Sequence, residues 1–122
     1  MKNYAMTALG LLLLASSAAA QAQETGRVEQ FSNSKVHVWK TIVYPSEHKV
    51  LPMHRHEHDR VVVALTDGEL KITTNSGHVR YFTFKKDTAY YFAKDVPNEQ
   101  HNDENMTDHP IEVMVVELNG EG

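Results

Sequence analysis

Residues 53–68 read Met-His-Arg-His-Glu-His-Asp-Arg-Val-Val-Val-Ala-Leu-Thr-Asp-Gly, so three histidines at alternate positions precede an apolar run and a turn. Side chains two apart in a β-strand point to the same face, and a strand here would present His54, His56 and His58 together. Neutral imidazoles that converge in this way are typical of a metal site. A polar loop that is rich in histidine is the alternative.

Short strands separated by turn residues recur along the rest of the chain. Residues 36–44 carry β-branched and aromatic side chains at both parities, which is typical of a strand in a two-layer β structure. Asp67-Gly68 and Asn75-Ser76-Gly77 predict hairpin turns, and residues 27–31 predict an edge strand. Because no sustained helical period follows the first 22 residues, the pattern predicts an all-β sandwich, jelly roll or barrel.

The N-terminal residues have the pattern of a secretory signal. Lys2 precedes an apolar run within residues 8–15, and Ala20-Gln21-Ala22 matches the small residues found before a cleavage site. We predict a signal peptide over residues 1–22, with Ala20 as an alternative cut point, and one domain over residues 23–122. An interfacial N-terminal helix is the other interpretation. Cleavage would leave a periplasmic or secreted protein.

Charge and cysteine content narrow the classes of partner. The formal net charge is −4, and it becomes −5 when Lys2 is removed with the signal. This mild acidity argues against nucleic acid, whose partners usually carry a basic stripe, and nothing predicts a membrane partner after cleavage. The chain has no cysteine, so disulfides do not stabilise it even though an oxidising compartment would permit them.

The first of two motifs resembles that of the cupin superfamily, small jelly-roll barrels that commonly hold a metal. That motif has two histidines separated by one residue, then a glutamate after three or four residues, then a glycine after six more. Here His54 and His56 match the histidine pair and Gly68 matches the glycine. At the glutamate this chain departs from the pattern, since Arg60 or Val61 stands there.

The second cupin motif has a proline shortly before a histidine, and an asparagine after three further residues. Pro97, His101 and Asn105 match it, although one residue is missing between the proline and the histidine and no glycine lies there. The resemblance covers most of the mature chain. It implies a single cupin jelly-roll β-barrel, in line with the all-β pattern.

The resemblance implies a metal held by His54, His56 and His101. Three-histidine centres occur in the superfamily, notably in thiol dioxygenases, and they leave positions open on the ion. His58 or Asp59 is a candidate fourth ligand if a bulge re-aims the strand. The ion would be one divalent transition metal, namely iron, zinc, nickel, copper or manganese, because imidazole suits several of them.

Arg60 places a cation where cupins usually have an anionic ligand. Pointing inward, its guanidinium would anchor a substrate carboxylate through two parallel hydrogen bonds. The alternative is a surface arginine paired with Asp59 or Glu69.

Two functions from different classes fit these residues. One is a metal-dependent oxygenase or dioxygenase that acts on a small molecule; the other is a non-catalytic cupin that binds a small ligand beside a structural or vestigial metal. The sequence of residues 54–68 resembles that of small single-domain cupins of the β-alanine-degradation type. The superfamily resemblance also implies a homodimer, formed through an edge strand near Arg27 or Val36.

Overall fold

The computed structural model describes residues 24–120, so the predicted signal peptide, residues 1–22, lies outside the described part. Nine strands form in chain order: β1 Gly26–Ser32, β2 Val36–Val43, β3 Leu51–His54, β4 Arg60–Ala64, β5 Gly68–Thr74, β6 Val79–Phe84, β7 Ala89–Phe92, β8 His101–Asn105 and β9 Ile111–Leu118. A single 3₁₀ turn, Glu47–Lys49, is the helical element among these residues. None of their helices has the length and apolar character needed to span a bilayer.

The strands form two antiparallel sheets, which confirms the all-β prediction. One sheet has the order β1-β2-β9-β4-β7 and the other the order β3-β8-β5-β6. Strand β1 lies at the edge of the larger sheet, as residues 27–31 predicted, and its pairing with β2 shifts register between Glu29 and Phe31. Neighbours in each sheet are mostly distant in sequence, so long-range pairings fix the fold.

The second predicted hairpin is confirmed and the first is wrong. Strands β5 and β6 pair across the turn that contains Gly77, whose φ of 88° suits glycine. At Asp67-Gly68, in contrast, the chain passes from one sheet to the other, because β4 pairs with β7 and β9 while β5 pairs with β6 and β8. Leu65 already donates its backbone N–H to Glu112 at 2.9 Å. Pairing with distant strands therefore overrides the local turn preference.

Gly68 has a packing role instead of a turn role. It is the first residue of β5 and is buried. A Cβ atom at this position would lie 2.6 Å from Cδ1 of Ile111 and even closer to its Cγ1. Ile111 is only 1% exposed, so its side chain has little room to move away. The glycine of the motif thus allows β5 to approach the start of β9.

The hydrophobic core lies between the sheets and contains side chains from both of them. Trp39 is its largest fully buried member, and the indole N–H donates to Thr41 at 3.0 Å. The core residues are Trp39, Val43, Val62, Ala64, Leu70, Ile72, Phe84, Ile111, Val113 and Val115, with Phe82, Tyr90 and Phe92 packed against them. Alternation in β4 and β8 also directs polar side chains into this interior, and these form the candidate site.

Candidate metal centre

Three of the predicted histidines come together in the interior. Antiparallel pairing of β3 with β8 places His54 directly opposite His101. His56 lies two residues beyond the end of β3, where its backbone N–H donates to the Asp95 carboxylate at 2.7 Å. One ring nitrogen from each of His54, His56 and His101 lies within 4.8 Å of the other two.

Hydrogen bonding sets the orientation of the His54 ring. Its Nδ1 lies 2.6 Å from the Pro52 carbonyl oxygen, and a carbonyl can only accept, so Nδ1 carries the proton and Nε2 keeps its lone pair. The ring centroids of His54 and His101 are 4.4 Å apart, and those of His54 and His56 are 4.9 Å apart. A backbone carbonyl on the remote nitrogen is the usual support for a metal-binding imidazole.

Two of the imidazoles are neutral at neutral pH because the interior penalises their charged form. The pKa of His56 is lowered to about 2, chiefly by burial and in addition by the charges of Arg60 and the two neighbouring histidines. Burial also lowers the pKa of His101 to about 4, with His54 adding to the effect and Asp95 opposing it. A metal ion binds the neutral imidazole, so no proton must first be lost from either ring at pH 7.

The donor set fits a transition-metal ion. Among the described residues, Nδ1 of His56 is the one buried side-chain polar atom without a hydrogen-bond partner, and leaving such an atom unpaired costs about 1–3 kcal/mol. A cation bound by this nitrogen would supply the partner. Nitrogens that share an ion lie roughly 3–4 Å apart, given bonds of about 2.1 Å, so the three rings need only small adjustments.

His58 and Asp59, the two candidate fourth ligands, are not brought to this group. Strand β3 ends at His54, so the alternation that would have aligned His58 does not continue, and His58 is exposed. The Asp59 carboxylate accepts from the Lys94 backbone N–H at 2.8 Å and from the Tyr91 hydroxyl at 2.5 Å. It therefore supports the segment after β7 instead of the histidines.

Arg60 points inward, as one of the two interpretations predicted. It is 9% exposed, and its guanidinium lies 5.3 Å from the centre of the Phe92 ring. With the three histidines it lines a cavity of about 90 Å³, to which Arg27 and Arg80 also contribute. Burial lowers the Arg60 pKa, while the nearby charges of Asp95 and Asp103 raise it.

Sequence reasoning missed Asp103, which lies beside the histidines. Its carboxylate oxygens are 3.6 Å from Nε2 of His54 and 3.9 Å from Nε2 of His101. Burial raises the pKa of Asp103 to about 6, although His54, Arg60 and Arg80 oppose this shift. The available signal was the alternation of His101, Asp103 and Asn105 in a stretch whose residues are all polar.

Solved structures of cupin domains are similar to this fold. A cupin domain from Bordetella pertussis Tohama I matches with a TM-score of 0.67 and 24% identity, over 82% of this chain and 100% of that chain. A double-stranded β-helix protein from Klebsiella pneumoniae matches with a TM-score of 0.59 and 18% identity, over 83% of this chain and 82% of that chain. An RmlC-like cupin from Methanocaldococcus jannaschii matches with a TM-score of 0.58 and 15% identity, over 81% of this chain and 84% of that chain.

In contrast to comparison of the fold, comparison of the sequence finds no relatives. No protein-family model matches it, and no curated protein matches it. At these sequence identities, structural likeness establishes the fold and does not establish an activity. The chain thus has the cupin fold, an all-β jelly roll of the double-stranded β-helix type.

Proposed function

We propose that this protein binds one divalent transition metal through His54, His56 and His101 and acts on a small anionic molecule as a metal-dependent oxygenase or dioxygenase. The observation that carries the proposal is the meeting of these three imidazoles in the interior. Iron, zinc, nickel, copper and manganese all remain candidates for the ion, since imidazole suits several of them. When bound, such an ion would supply Lewis-acid or oxygen chemistry at positions that the protein leaves open.

The cavity supports a small substrate. Its volume of about 90 Å³ is well below the roughly 300–1,000 Å³ of sites for drug-sized ligands. Much of the wall is apolar, with Trp39, Val62 and Phe92 among its residues. These side chains would exclude bulk water from a bound molecule, and exclusion of water strengthens the electrostatic contacts that hold it.

The charges of the cavity support an anionic substrate. Arg60 has one hydrogen bond within the described residues, a long contact of 3.4 Å from Nη1 to the Ala93 carbonyl. A guanidinium has five N–H donors, so most of those of Arg60 remain for a ligand. Arg80 lines the same cavity from β6. The likeness of residues 54–68 to β-alanine-type cupins agrees with a small carboxylic acid.

Replacing Arg60 by methionine should weaken the binding of small carboxylates by about 10-fold or more, because a charge-assisted hydrogen bond contributes about 1.5–3 kcal/mol. Binding can be followed by the change that acetate, propionate or succinate makes in the visible spectrum of the cobalt-loaded protein. Arg60→Lys keeps the charge and should lose less. Equal affinity of all three proteins would exclude Arg60 as the anchor.

Metal analysis and oxygen consumption test the two parts of the proposed function. The exported protein should contain about one transition-metal ion per chain by elemental analysis, as expected for a mononuclear site. The iron-loaded protein should consume oxygen with a member of a panel of thiols and small acids. Metal-free protein that cannot be loaded would exclude the metal site.

The second candidate is a non-catalytic cupin that binds a small ligand beside a structural metal. The missing motif glutamate favours it, because neither Arg60 nor Val61, the two residues at that place, can bind a cation. A protein that binds the metal and a carboxylate but consumes no oxygen with any compound of the panel would be assigned to this class.

Export is the proposed localisation. The pattern of residues 1–22 supports a signal peptide and hence a periplasmic or secreted protein.

A homodimer is the proposed oligomeric state. Strand β1 supports it, because this strand lies at a sheet edge and exposes Val28 (46%) and Phe31 (57%) to solvent.

A further inference from the structure

Asp103 lies on the face of β8 that carries His101. Both residues are buried, and the antiparallel register sets His101 opposite His54 and Asp103 opposite Leu51. The carboxylate therefore lies two residues further along β8 than His101, beside Leu51 instead of His54. It is 7% exposed, and water can offer it few hydrogen bonds.

The Asp103 carboxylate accepts no hydrogen bond from another side chain or backbone group of residues 24–120, and it lines the cavity that the three histidines and Arg60 share. Its contacts with His54 (3.6 Å) and His101 (3.9 Å) are too long for hydrogen bonds, and no ion pair joins it to Arg60 within the described part of the chain. Confining a carboxylate to an interior with few partners costs free energy. A cation held between this carboxylate and the two rings would offset that cost.

Neighbouring polar groups have structural partners, which sets Asp103 apart. Asn105, on the same face of β8, donates to the Val43 and His109 carbonyls and accepts from Thr107. Asp95 is closer to the surface, and its Oδ2 accepts the backbone N–H of His56 at 2.7 Å. Both side chains are used to hold backbone in place.

The distances suit two ligands of one ion. Donor atoms that share a metal with bonds of about 2.0–2.2 Å lie roughly 3–3.5 Å apart, only slightly less than the 3.6 Å between Asp103 Oδ2 and His54 Nε2. Among the described residues, the Asp103 carboxylate lies within 4.0 Å of ring nitrogens of two of the three histidines, whereas that of Asp95 lies near one. No carboxylate of residues 24–120 belongs to the group of donor atoms that all lie within 4.8 Å of one another, so Asp103 would approach the ion from the side of His54 and His101.

We propose that Asp103 is the fourth protein ligand of the metal, supplying from β8 the carboxylate that β4 lacks, since neither Arg60 nor Val61 can bind a cation. This inference rests on the proposed three-histidine metal site and adds a ligand to it. The site would then hold three imidazoles and one carboxylate, with Arg60 free to bind an anion. An ion with six positions would keep two of them open.

Cobalt(II) titration of the metal-free protein tests this assignment. Wild-type protein should bind one cobalt ion per chain. Asp103→Asn should still bind one, through the histidines, but with an affinity reduced by about 100-fold or more, since even loss of a partner that only orients a ligand costs roughly 10–100-fold. The visible absorption bands of the bound cobalt should also change, because a carboxylate oxygen has left the ion.

Glu104→Gln is the matched control, because Glu104 is adjacent on β8 and alternation directs it to the other face. Its affinity and spectrum should equal those of the wild type. Wild-type affinity and spectrum in Asp103→Asn would overturn the Asp103 assignment and leave the histidine site intact, whereas failure of wild-type protein to bind cobalt would overturn the site itself.

A crystal structure of cobalt-loaded wild-type protein gives an answer that does not depend on the variant folding. An Asp103 oxygen about 2.0–2.2 Å from the ion, the usual length of a metal–carboxylate bond, would support the assignment. An ion bound by the three histidines with the carboxylate out of bonding range would overturn it.

Discussion

Metal retained through dialysis should fall to background when His56 is replaced by alanine. The pKa of His56 is lowered to about 2, chiefly by burial, so this residue presents a neutral ring at any physiological pH. Its Nδ1 is also the buried atom left without a partner within residues 24–120. Loss of this ring removes a ligand that no nearby side chain replaces, and the remaining groups bind more weakly.

His58→Ala is the control for this experiment, since it makes the same chemical change at an exposed position two residues away. It should retain about one metal ion per chain, measured by elemental analysis after dialysis against metal-free buffer. Circular dichroism would check that both variants fold. Full metal content in His56→Ala would contradict the site, and equal loss in both variants would show that the effect is not specific to the interior ring.

Gly68→Ala should destabilise the fold by roughly 2–3 kcal/mol, the upper part of the range for overpacking a core. The added Cβ would lie 2.6 Å from Cδ1 of Ile111, and closer still to Cγ1. Both atoms belong to a side chain that is 1% exposed, so β5 or β9 must shift. Urea unfolding monitored by Trp39 fluorescence measures the free energy of unfolding.

A double-mutant cycle with Ile111→Ala identifies the cause. This change removes both close atoms and leaves only the Ile111 Cβ, 3.6 Å from the new methyl group. The loss of unfolding free energy in the double variant should therefore be smaller than the sum of the losses in the two single variants, by about 1 kcal/mol or more. Gly120→Ala, where nothing lies within 4 Å, should be nearly neutral. Strict additivity of the first pair would exclude the steric explanation.

Local alternation was enough to predict most of the strands. The apolar run of residues 61–65 and the alternating residues of 36–44 became β4 and β2, because β-branched and aromatic side chains suit a half-buried pleated surface. The pairing partners were not predictable in the same way. Asp67-Gly68 has the chemistry of a hairpin, but only the packing of Gly68 on Ile111 shows why the chain crosses to the other sheet there.

The histidines of the site were predictable because the cupin resemblance fixed their spacing. His54, His56 and His101 lie together, whereas the alternation that included His58 fails since β3 stops at His54. Asp103 was not predicted, because residues 101–105 are polar throughout and lack the apolar alternation that marks a strand. Only the pairing of β8 with β3 and β5 shows that alternate polar residues there face the interior.

The pairing of His54 with His101 has a consequence for chain topology. Strand β3 has four residues and lies at the edge of its sheet, in contact with β8 alone among its sheet neighbours. An ion shared by positions 54 and 101, which are 47 apart in the sequence, would tie the two strands together. By loop-closure entropy, a link of this span stabilises a fold by about 4 kcal/mol. A cysteine-free chain would then possess a cross-link that reductants leave intact and chelators release.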